Sequence, residues 1–208
     1  YYTMWVHQIK TPIASMHLIL QKEDSEDSRR LRAELFRVEQ YVQMVLCFLR
    51  LDSDFTDYVI KEYRVDDIIR PAVRRLAPQF IMKKLSLEYE QTDEVALTDE
   101  KWLSFVVEQV LSNAVKYTSA GSISIKCDGD RLVISDTGIG IAAEDLPRIF
   151  DKGYTGFNGR ADRKASGIGL YLCRRICDNC GHSIKAESVP GHGTTIIIGL
   201  ERDKLEVE

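Results

Sequence analysis

Apolar residues recur at heptad-like spacing through the first quarter of the chain. One stripe steps by four and three residues from Trp5 to Ile19, and a second does the same from Leu31 to Leu49. Segment 21–30 between them contains no apolar residue. This spacing predicts two amphipathic helices joined by a short loop, an antiparallel hairpin. Because one hairpin cannot bury both stripes, the pattern also predicts a homodimer whose helices form a four-helix bundle.

Beyond the polar segment 51–57 the pattern changes, and we place a domain boundary there, giving domains 1–54 and 55–208. Period-two alternation and turn residues predict strands at 58–63, 85–89, 122–127, 131–135, 182–186 and 194–200. Helical patterns run from 66 or 67 to about 84, from 99 to 117, and onward from Gly169. Asp128-Gly129 predicts a hairpin turn. This mixed order predicts an α+β sandwich, not a doubly wound sheet.

Composition narrows the class of protein. The chain has 208 residues and a net charge of −4, which argues against a non-specific nucleic-acid binder. No apolar run approaches the roughly 18 residues of a membrane span, and no signal peptide opens the sequence. The amphipathic start without an initiator Met predicts a fragment of a longer protein. The five cysteines are interpreted as reduced thiols in a cytosolic setting.

His7 falls roughly opposite the first apolar stripe when residues are placed at about 100° intervals. Thr11 lies one turn further on the same face, with Gln8 and Lys10 beside it. A neutral imidazole facing solvent is a competent nucleophile near pH 7. The alternative is an ordinary solvated surface histidine.

Three later segments contain residue types suited to a nucleotide. Gln109, Asn113 and Lys116 line one edge of a helix, where amide oxygens and an ammonium suit Mg²⁺ and phosphates. Asp136 ends a strand and could accept a hydrogen bond from an exocyclic amine, and the glycines of 136–140 allow close backbone approach. Segment 166–170 opens a helix whose N–H groups attract phosphate. Taken singly, each could equally be an amphipathic helix edge or a tight turn.

Between these glycine segments, residues 150–164 carry four cations and three glycines with few aliphatic residues. That composition fits a mobile, cationic lid over a polyphosphate, or alternatively a surface loop. Neither glycine segment is a Walker A or Rossmann fingerprint.

Together, these motifs resemble those of two-component sensor histidine kinases. The similar segments, in order, are His7–Pro12 (H box), 109–117 (N box), Asp136–Gly140 (G1 box), Phe150–Gly153 (F box) and Gly167–Gly169 (G2 box). The resemblance implies a dimerisation and histidine-phosphotransfer hairpin followed by a Bergerat-type ATP-binding domain. It implies a kinase that uses ATP and Mg²⁺, phosphorylates its own histidine, and transfers the group to an Asp of a response regulator.

Roles follow residue by residue from the same resemblance. His7 would accept the γ-phosphoryl group, Gln8 would sit at the position of its orienting neighbour, and Thr11 would orient water for dephosphorylating the regulator. Asn113, with Gln109, would bind Mg²⁺, and Asp136 would recognise the adenine amino group. The remaining nucleotide-contacting and lid positions implied are Lys116, Tyr117, Gly138, Gly140, Lys152, Tyr154, Thr155, Gly167, Gly169 and Leu170.

Two positions depart from the common family pattern. Gln8 stands where an acidic residue usually follows the histidine, so no general base is available there. Gln109 stands where the first N-box Asn usually lies, but it still offers an oxygen to Mg²⁺. Both departures, with segment 153–160, are similar to the subgroup that senses cell-envelope stress and antimicrobial peptides beside ABC transporters. That similarity implies a membrane location for the intact protein, with this part cytoplasmic.

Three alternatives stay open at this stage. A chaperone or mismatch-repair ATPase would share the 109–169 pocket without needing the hairpin. A catalytically weak kinase could act mainly as a phosphatase or as a dimeric scaffold. Cys173, Cys177, Cys180 and His182 could meet a metal, although small buried residues at such spacing are more often core packing.

Overall fold

The computed structural model describes residues 2–22, 25–52, 58–156 and 166–201, with side chains from residue 8 onward. The chain divides into two compact units, Tyr1–Thr56 and Asp57–Glu208.

The first unit is the predicted helical hairpin. Helix α1 spans Tyr2–Leu20 and helix α2 spans Glu26–Leu51. Ser25 caps α2, its hydroxyl accepting a hydrogen bond from the Ser28 backbone N–H at 3.1 Å. His17 Nε2 lies 3.0 Å from Glu39 Oε1 and ties the two helices together.

The heptad stripes are only partly covered within one chain. The buried apolar side chains described in this unit are Ile13, Leu35, Cys47 and Leu51. The exposed ones along the stripes are Ile9, Met16, Ile19, Leu31, Val38 and Val45. Two helices in contact cover only a narrow strip of each other, so most of the predicted seam lies open in a single copy.

The second unit is an α/β sandwich built on a five-stranded sheet of order β2-β4-β5-β7-β6, with a separate two-stranded ladder of β1 and β3. The strands are β1 Lys61–Arg64, β2 Ser86–Tyr89, β3 Val95–Thr98, β4 Ser122–Asp128, β5 Arg131–Asp136, β6 Ser183–Val189 and β7 Gly193–Gly199. The helices are α3 Val65–Lys83, α4 Glu100–Tyr117 and α5 Gly169–Cys180, with a short 3-10 helix at Leu146–Arg148. β2 pairs with β4 in parallel, and the other pairs are antiparallel. The α+β prediction is therefore confirmed.

The core of this unit combines alternate strand residues with the inner stripes of the helices. The largest side chains that are almost completely buried include Ile123, Ile125, Leu132, Ile134 and Ile184 on strands and Leu76, Leu103, Leu111, Leu172 and Ile176 on helices. This burial fixes which edges of α4 and α5 remain for polar residues.

Several predicted boundaries were wrong. Residues 58–60 do not pair with another strand, because side chains of the second unit bind them instead. Asp99 accepts a hydrogen bond from the Val59 N–H at 2.8 Å, and the Tyr58 ring packs on Trp102. β1 consequently begins at Lys61. β3 was missed because its exposed positions hold Val95 and Leu97 while its buried positions hold Ala96 and Thr98, so apolar and polar residues do not alternate with burial.

Two further corrections concern turns. The β4–β5 loop is Gly129-Asp130, since Asp128 pairs with Arg131, and Gly129 takes the positive φ of 59° that the turn requires. β6 begins at Ser183 and continues to Val189, three residues beyond the predicted end, because its pairing with β7 persists to Gly193.

Within the part of the chain that the structure describes, none of the helices combines the length and the apolar character needed to span a bilayer.

Candidate functional site

Asp136 forms the centre of a small polar cradle at the end of β5. The Gly138 N–H donates to Asp136 Oδ1 at 2.8 Å. Burial raises the pKa of this carboxyl, and the opposing effects come from the N–H groups of Gly138 and Thr194 and from the Thr118 hydroxyl. A desolvated carboxylate with strong acceptor oxygens is thus held in place by backbone groups.

The cradle has no room for a side chain at Gly138. A Cβ there would lie 2.5 Å from Tyr117 O, 2.8 Å from Asp136 Oδ1 and 2.9 Å from Thr118 Oγ1. The Thr118 hydroxyl is buried, and although it is close enough to lower the pKa of Asp136, it makes no well-formed hydrogen bond within the described residues. A buried polar atom of this kind is suited to a ligand that supplies the missing partner.

The loop after Asp136 is fixed by backbone contacts on both sides. The Ile139 N–H donates to Tyr117 O at 3.2 Å, and Ile139 O accepts from Gly191 N–H at 2.8 Å. Gly140 has a φ of 68°, and a Cβ there would lie 2.2 Å from Val189 O. Gly140 is therefore required by its positive φ and by close packing against the β6–β7 turn.

Helix α4 presents the second set of predicted residues along one edge. Asp99 caps the helix, accepting from the N–H groups of Lys101 and Trp102. Gln109 Nε2 donates to Asn113 Oδ1 at 3.4 Å, one turn apart. Lys116 lies on the exposed side near the end, its ammonium 4.9 Å from the centroid of the Tyr117 ring.

The start of α5 packs directly against this edge of α4. A Cβ at Gly169 would lie 2.4 Å from Gln109 Nε2, so a larger residue at this position would require the Gln109 side chain to move. Leu170 is half-buried in the same first helical turn. The structure therefore brings Gln109, Asn113 and the N-terminus of α5 together, although they are far apart in the sequence.

The two ends of the glycine-rich segment also meet. The Gly153 N–H donates to Gly167 O at 2.9 Å, and a Cβ at Gly167 would lie 2.5 Å from the carbonyl carbon of Gly153. Tyr154 donates its hydroxyl proton to Asp145, and the Arg148 guanidinium lies 4.2 Å from the Tyr154 ring centroid.

Two other predicted nucleotide-contacting residues lie near this contact, Lys152 and Thr155. Lys152 is exposed, 6.0 Å from the Tyr171 ring centroid, and Thr155 is half-buried. Residues 157–164 of the predicted lid lie outside the described residues.

The predicted phosphoacceptor lies on α1, in the other unit. The His7 backbone is helical, and its side chain lies outside the described ones. Gln8 and Thr11 are exposed, and Thr11 O accepts a hydrogen bond from the Ser15 hydroxyl at 3.1 Å. α1 continues as a helix through Pro12 to Leu20.

The cysteine-rich end of α5 is part of the core. Cys173, Cys177 and Cys180 are almost completely buried, and all five cysteines are free thiols. Burial raises the pKa of the Cys177 thiol to about 12. His182 Nε2 lies 2.8 Å from Thr98 Oγ1. Among the described residues, no group of three or more His, Cys, Asp or Glu side chains is arranged to hold a metal.

Sequence reasoning missed Thr118, Ser188 and Thr194. Ser188 Oγ accepts from the Ile141 N–H at 2.8 Å and donates to Gly193 O at 2.7 Å, which fixes the end of the Asp136 loop. In the sequence, these three residues are marked only by having a hydroxyl group next to a helix end or a glycine-rich turn. Such residues are common at these positions, so the pattern alone could not single them out.

Comparison with known proteins now identifies the class. Residues 98–204, about half of the chain, match the family described as histidine kinase-, DNA gyrase B-, and HSP90-like ATPase, and the chain belongs to that family.

The curated relatives it resembles are sensor proteins. Over 94% of its length the chain is 34% identical to sensor histidine kinase YxdK of Bacillus subtilis (strain 168), covering 62% of that protein. Over 96% of its length it is 35% identical to sensor protein BceS of Halalkalibacterium halodurans, covering 61% of that protein. The chain thus spans about three fifths of the length of these relatives.

A solved structure shows the same fold. Full-length ShkA, crystallised in complex with AMPPNP, superposes with a TM-score of 0.64 over 98% of this chain and 47% of its own, at 20% identity.

Proposed function

We propose that this chain is the phosphoacceptor and ATP-binding portion of a two-component sensor histidine kinase. In this proposal it binds ATP with Mg²⁺, becomes phosphorylated on His7, and passes the phosphoryl group to an Asp of a response regulator. The observation that carries it is the Asp136 cradle, with the buried Thr118 hydroxyl that has no well-formed partner, in a domain of the ATPase family. The second domain, 55–208, would hold the nucleotide, and the hairpin 1–54 would carry the histidine.

The cradle fits an adenine ring by its donor and acceptor groups. Asp136 offers acceptor oxygens to an exocyclic amine, and the Thr118 hydroxyl can complete its hydrogen bonding with a ring nitrogen or a water molecule. Ile139, which is 46% exposed beside the cradle, would provide apolar contact with the base. The missing side chain at Gly138 keeps this space open.

The contact between α4 and α5 fits the phosphates and the metal. Amide oxygens of Asn113 and Gln109 are hard ligands of the kind Mg²⁺ prefers, and the N-terminus of α5 beside them attracts anions. When bound, Mg²⁺ would neutralise charge developing on the transferred phosphoryl group. Lys116, Tyr117, Lys152, Tyr154, Thr155, Gly167, Gly169 and Leu170 would contact the nucleotide or shape the base of the lid.

The proposed reaction is a phosphoryl transfer to nitrogen. A neutral His7 ring nitrogen forms a bond to the γ-phosphorus as the bond to the β,γ-bridging oxygen breaks, and ADP leaves with the electron pair. Catalysis of this kind depends mainly on positioning and electrostatics. Incubation with γ-labelled ATP tests it: the expected label is acid-labile and base-stable, as phosphohistidine is, and the absence of any such label would contradict the proposal.

We also propose that the chain functions as a homodimer. Ile9, Met16, Leu31, Val38 and Val45 form apolar positions on α1 and α2 that stay exposed in one copy. A second copy would bury them in a four-helix bundle. On the subgroup resemblance of Gln8, Gln109 and segment 153–160, we further propose that the intact protein is anchored in the membrane, senses envelope stress and works beside an ABC transporter.

A kinase acting mainly as a phosphatase or scaffold is the second candidate function. It is favoured by Gln8, because a glutamine cannot accept a proton from the histidine ring. On this ground Gln8→Glu is expected to speed autophosphorylation, by some fraction of the 10²–10⁴-fold that general-base help typically gives, about tenfold or more. The rate of label incorporation at saturating ATP measures it. An unchanged rate would show that residue 8 has no proton-transfer role.

Thr11 is expected to act in the hydrolysis of the regulator's phospho-aspartate, which releases inorganic phosphate. Its exposed hydroxyl lies one helical turn from His7 and would hold the water that attacks the regulator's phospho-aspartate. Thr11→Ala should therefore slow regulator dephosphorylation at least tenfold while autophosphorylation changes little. Ser15→Ala, which removes the neighbouring hydroxyl, is the control. Equal loss of both activities with a lowered melting temperature would mean that Thr11 is only structural.

A further inference from the structure

The C-terminus of α4 is held by a lysine from another helix. Lys83, the last residue of α3, directs its ammonium at three backbone carbonyl oxygens: Nζ lies 2.5 Å from Val115 O, 3.0 Å from Lys116 O and 3.1 Å from Thr118 O. Lys83 is half-buried, so this contact is sheltered from bulk water.

This contact supplies hydrogen-bond donors to carbonyl groups at the helix end. The last carbonyls of an α-helix have no intrahelical donor, and the Thr118 N–H bond to Ala114 O is the final helical one here. An ammonium has three donors and carries the charge that a helix C-terminus favours. Lys83 therefore fixes the segment 115–118 where the chain leaves α4.

The same segment forms one wall of the Asp136 cradle. Tyr117 O accepts from the Ile139 N–H, and both Tyr117 O and Thr118 Oγ1 border the space beside Gly138. Lys83 bonds to the carbonyl of Thr118, whose hydroxyl lies beside Asp136. One short stretch of backbone thus links the ammonium to the cradle.

We propose that Lys83 is a positioning residue for the base-binding cradle, which rests on the proposed function of that cradle as a nucleotide site. It acts through the 115–118 backbone and does not need to touch the nucleotide. Without the Lys83 ammonium, the carbonyl groups at the end of α4 would have to hydrogen-bond to water. The 115–118 backbone, which accepts a hydrogen bond from the Ile139 N–H and carries Thr118, would then lose its fixed position.

The test compares Lys83→Met with Lys101→Met, which removes the same charge from an exposed position in the first turn of α4. ADP affinity is measured by calorimetry on the whole chain at a temperature where both variants are folded. Lys83→Met is expected to weaken ADP binding about tenfold and to reduce the preference for ADP over GDP, while Lys101→Met stays near the unmodified value. Lys83→Arg should recover part of the loss.

Amide hydrogen exchange distinguishes a local effect on the cradle from a general loss of stability. The Ile139 and Thr118 amides should exchange faster in Lys83→Met, while the β6–β7 amides keep their protection. If Lys83→Met does not fold, Lys83→Gln replaces it, since its amide retains two donors without the charge.

A lowered melting temperature with unchanged ADP affinity and unchanged Ile139 exchange would overturn this inference alone. Failure of the unmodified chain to bind ADP would overturn the proposed function and this inference with it.

Discussion

His7→Gln is expected to abolish acid-labile phosphorylation of the chain while leaving ADP affinity unchanged. Glutamine offers no ring nitrogen to accept the phosphoryl group. The proposed nucleotide-binding residues all lie in the second unit, whereas His7 lies on α1 of the first. Labelling with γ-labelled ATP measures the first effect, and an ADP titration of the same preparation measures the second.

The matched control for this experiment is His17→Gln. His17 lies on the same helix but forms an ion pair or hydrogen bond with Glu39, 3.0 Å away. Its replacement should lower the stability of the hairpin by no more than about 1 kcal/mol and leave the label in place. Undiminished labelling of His7→Gln would show that His7 is not the phosphoacceptor.

Asp136→Asn is expected to weaken ATP and ADP binding by about 10- to 150-fold. A neutral amide replaces the carboxylate, so the bond to an adenine amine loses its charge assistance, which corresponds to roughly 1.5–3 kcal/mol. Isothermal titration with ADP measures the loss. Asp128→Asn, at an exposed carboxylate at the end of β4, is the control and should bind normally. Unchanged affinity of Asp136→Asn would reject the cradle as the base site.

Although Asp136→Asn should weaken nucleotide binding, it should not lower the free energy of unfolding. Burial raises the pKa of Asp136 above its ordinary value, so the folded state binds its proton more tightly than the unfolded chain does. The free energy of unfolding therefore falls as pH rises from the unfolded pKa through the raised folded pKa, and this cost persists at neutral pH. Asp136→Asn removes the ionisable group and is expected to be at least as stable as the unmodified chain at pH 7. Denaturant unfolding at pH 7 measures it, and a large loss of stability would show that the carboxylate is mainly structural.

The individual nucleotide motifs were visible in the sequence, but each was weak alone. Gln109 and Asn113 at a spacing of four predicted one edge of a helix, and that edge is found on α4. Asp136 followed by two glycines predicted a strand end with close backbone approach, which the crowding at Gly138 and Gly140 shows. The family resemblance rested on their order along the chain, and the match over 98–204 to the ATPase family supports it.

Short-range signals also failed in identifiable ways. Strand β3 exposes Val95 and Leu97 and buries Ala96 and Thr98, so its residue types do not alternate with burial, and the register of the β4–β5 hairpin shifted the turn by one residue. Residues 58–60 looked like a strand but are held by Asp99, Trp102 and Asn179. For β3 and for residues 58–60 the deciding interactions come from residues distant in sequence, which a local pattern cannot contain.

The residue pattern was enough to predict the helical hairpin, the mixed α/β class and the candidate nucleotide-binding residues, because side-chain period and residue type are local properties. The packing of Gly169 on Gln109, the placement of Thr118 and Thr194 beside Asp136, and the contact of Lys83 with the end of α4 are visible only in the folded chain. It also decided that Ile13 and Cys47, and not most of the heptad stripe, are buried within one chain. These outcomes depend on how distant segments approach one another, and close packing selects a single arrangement that no segment specifies alone.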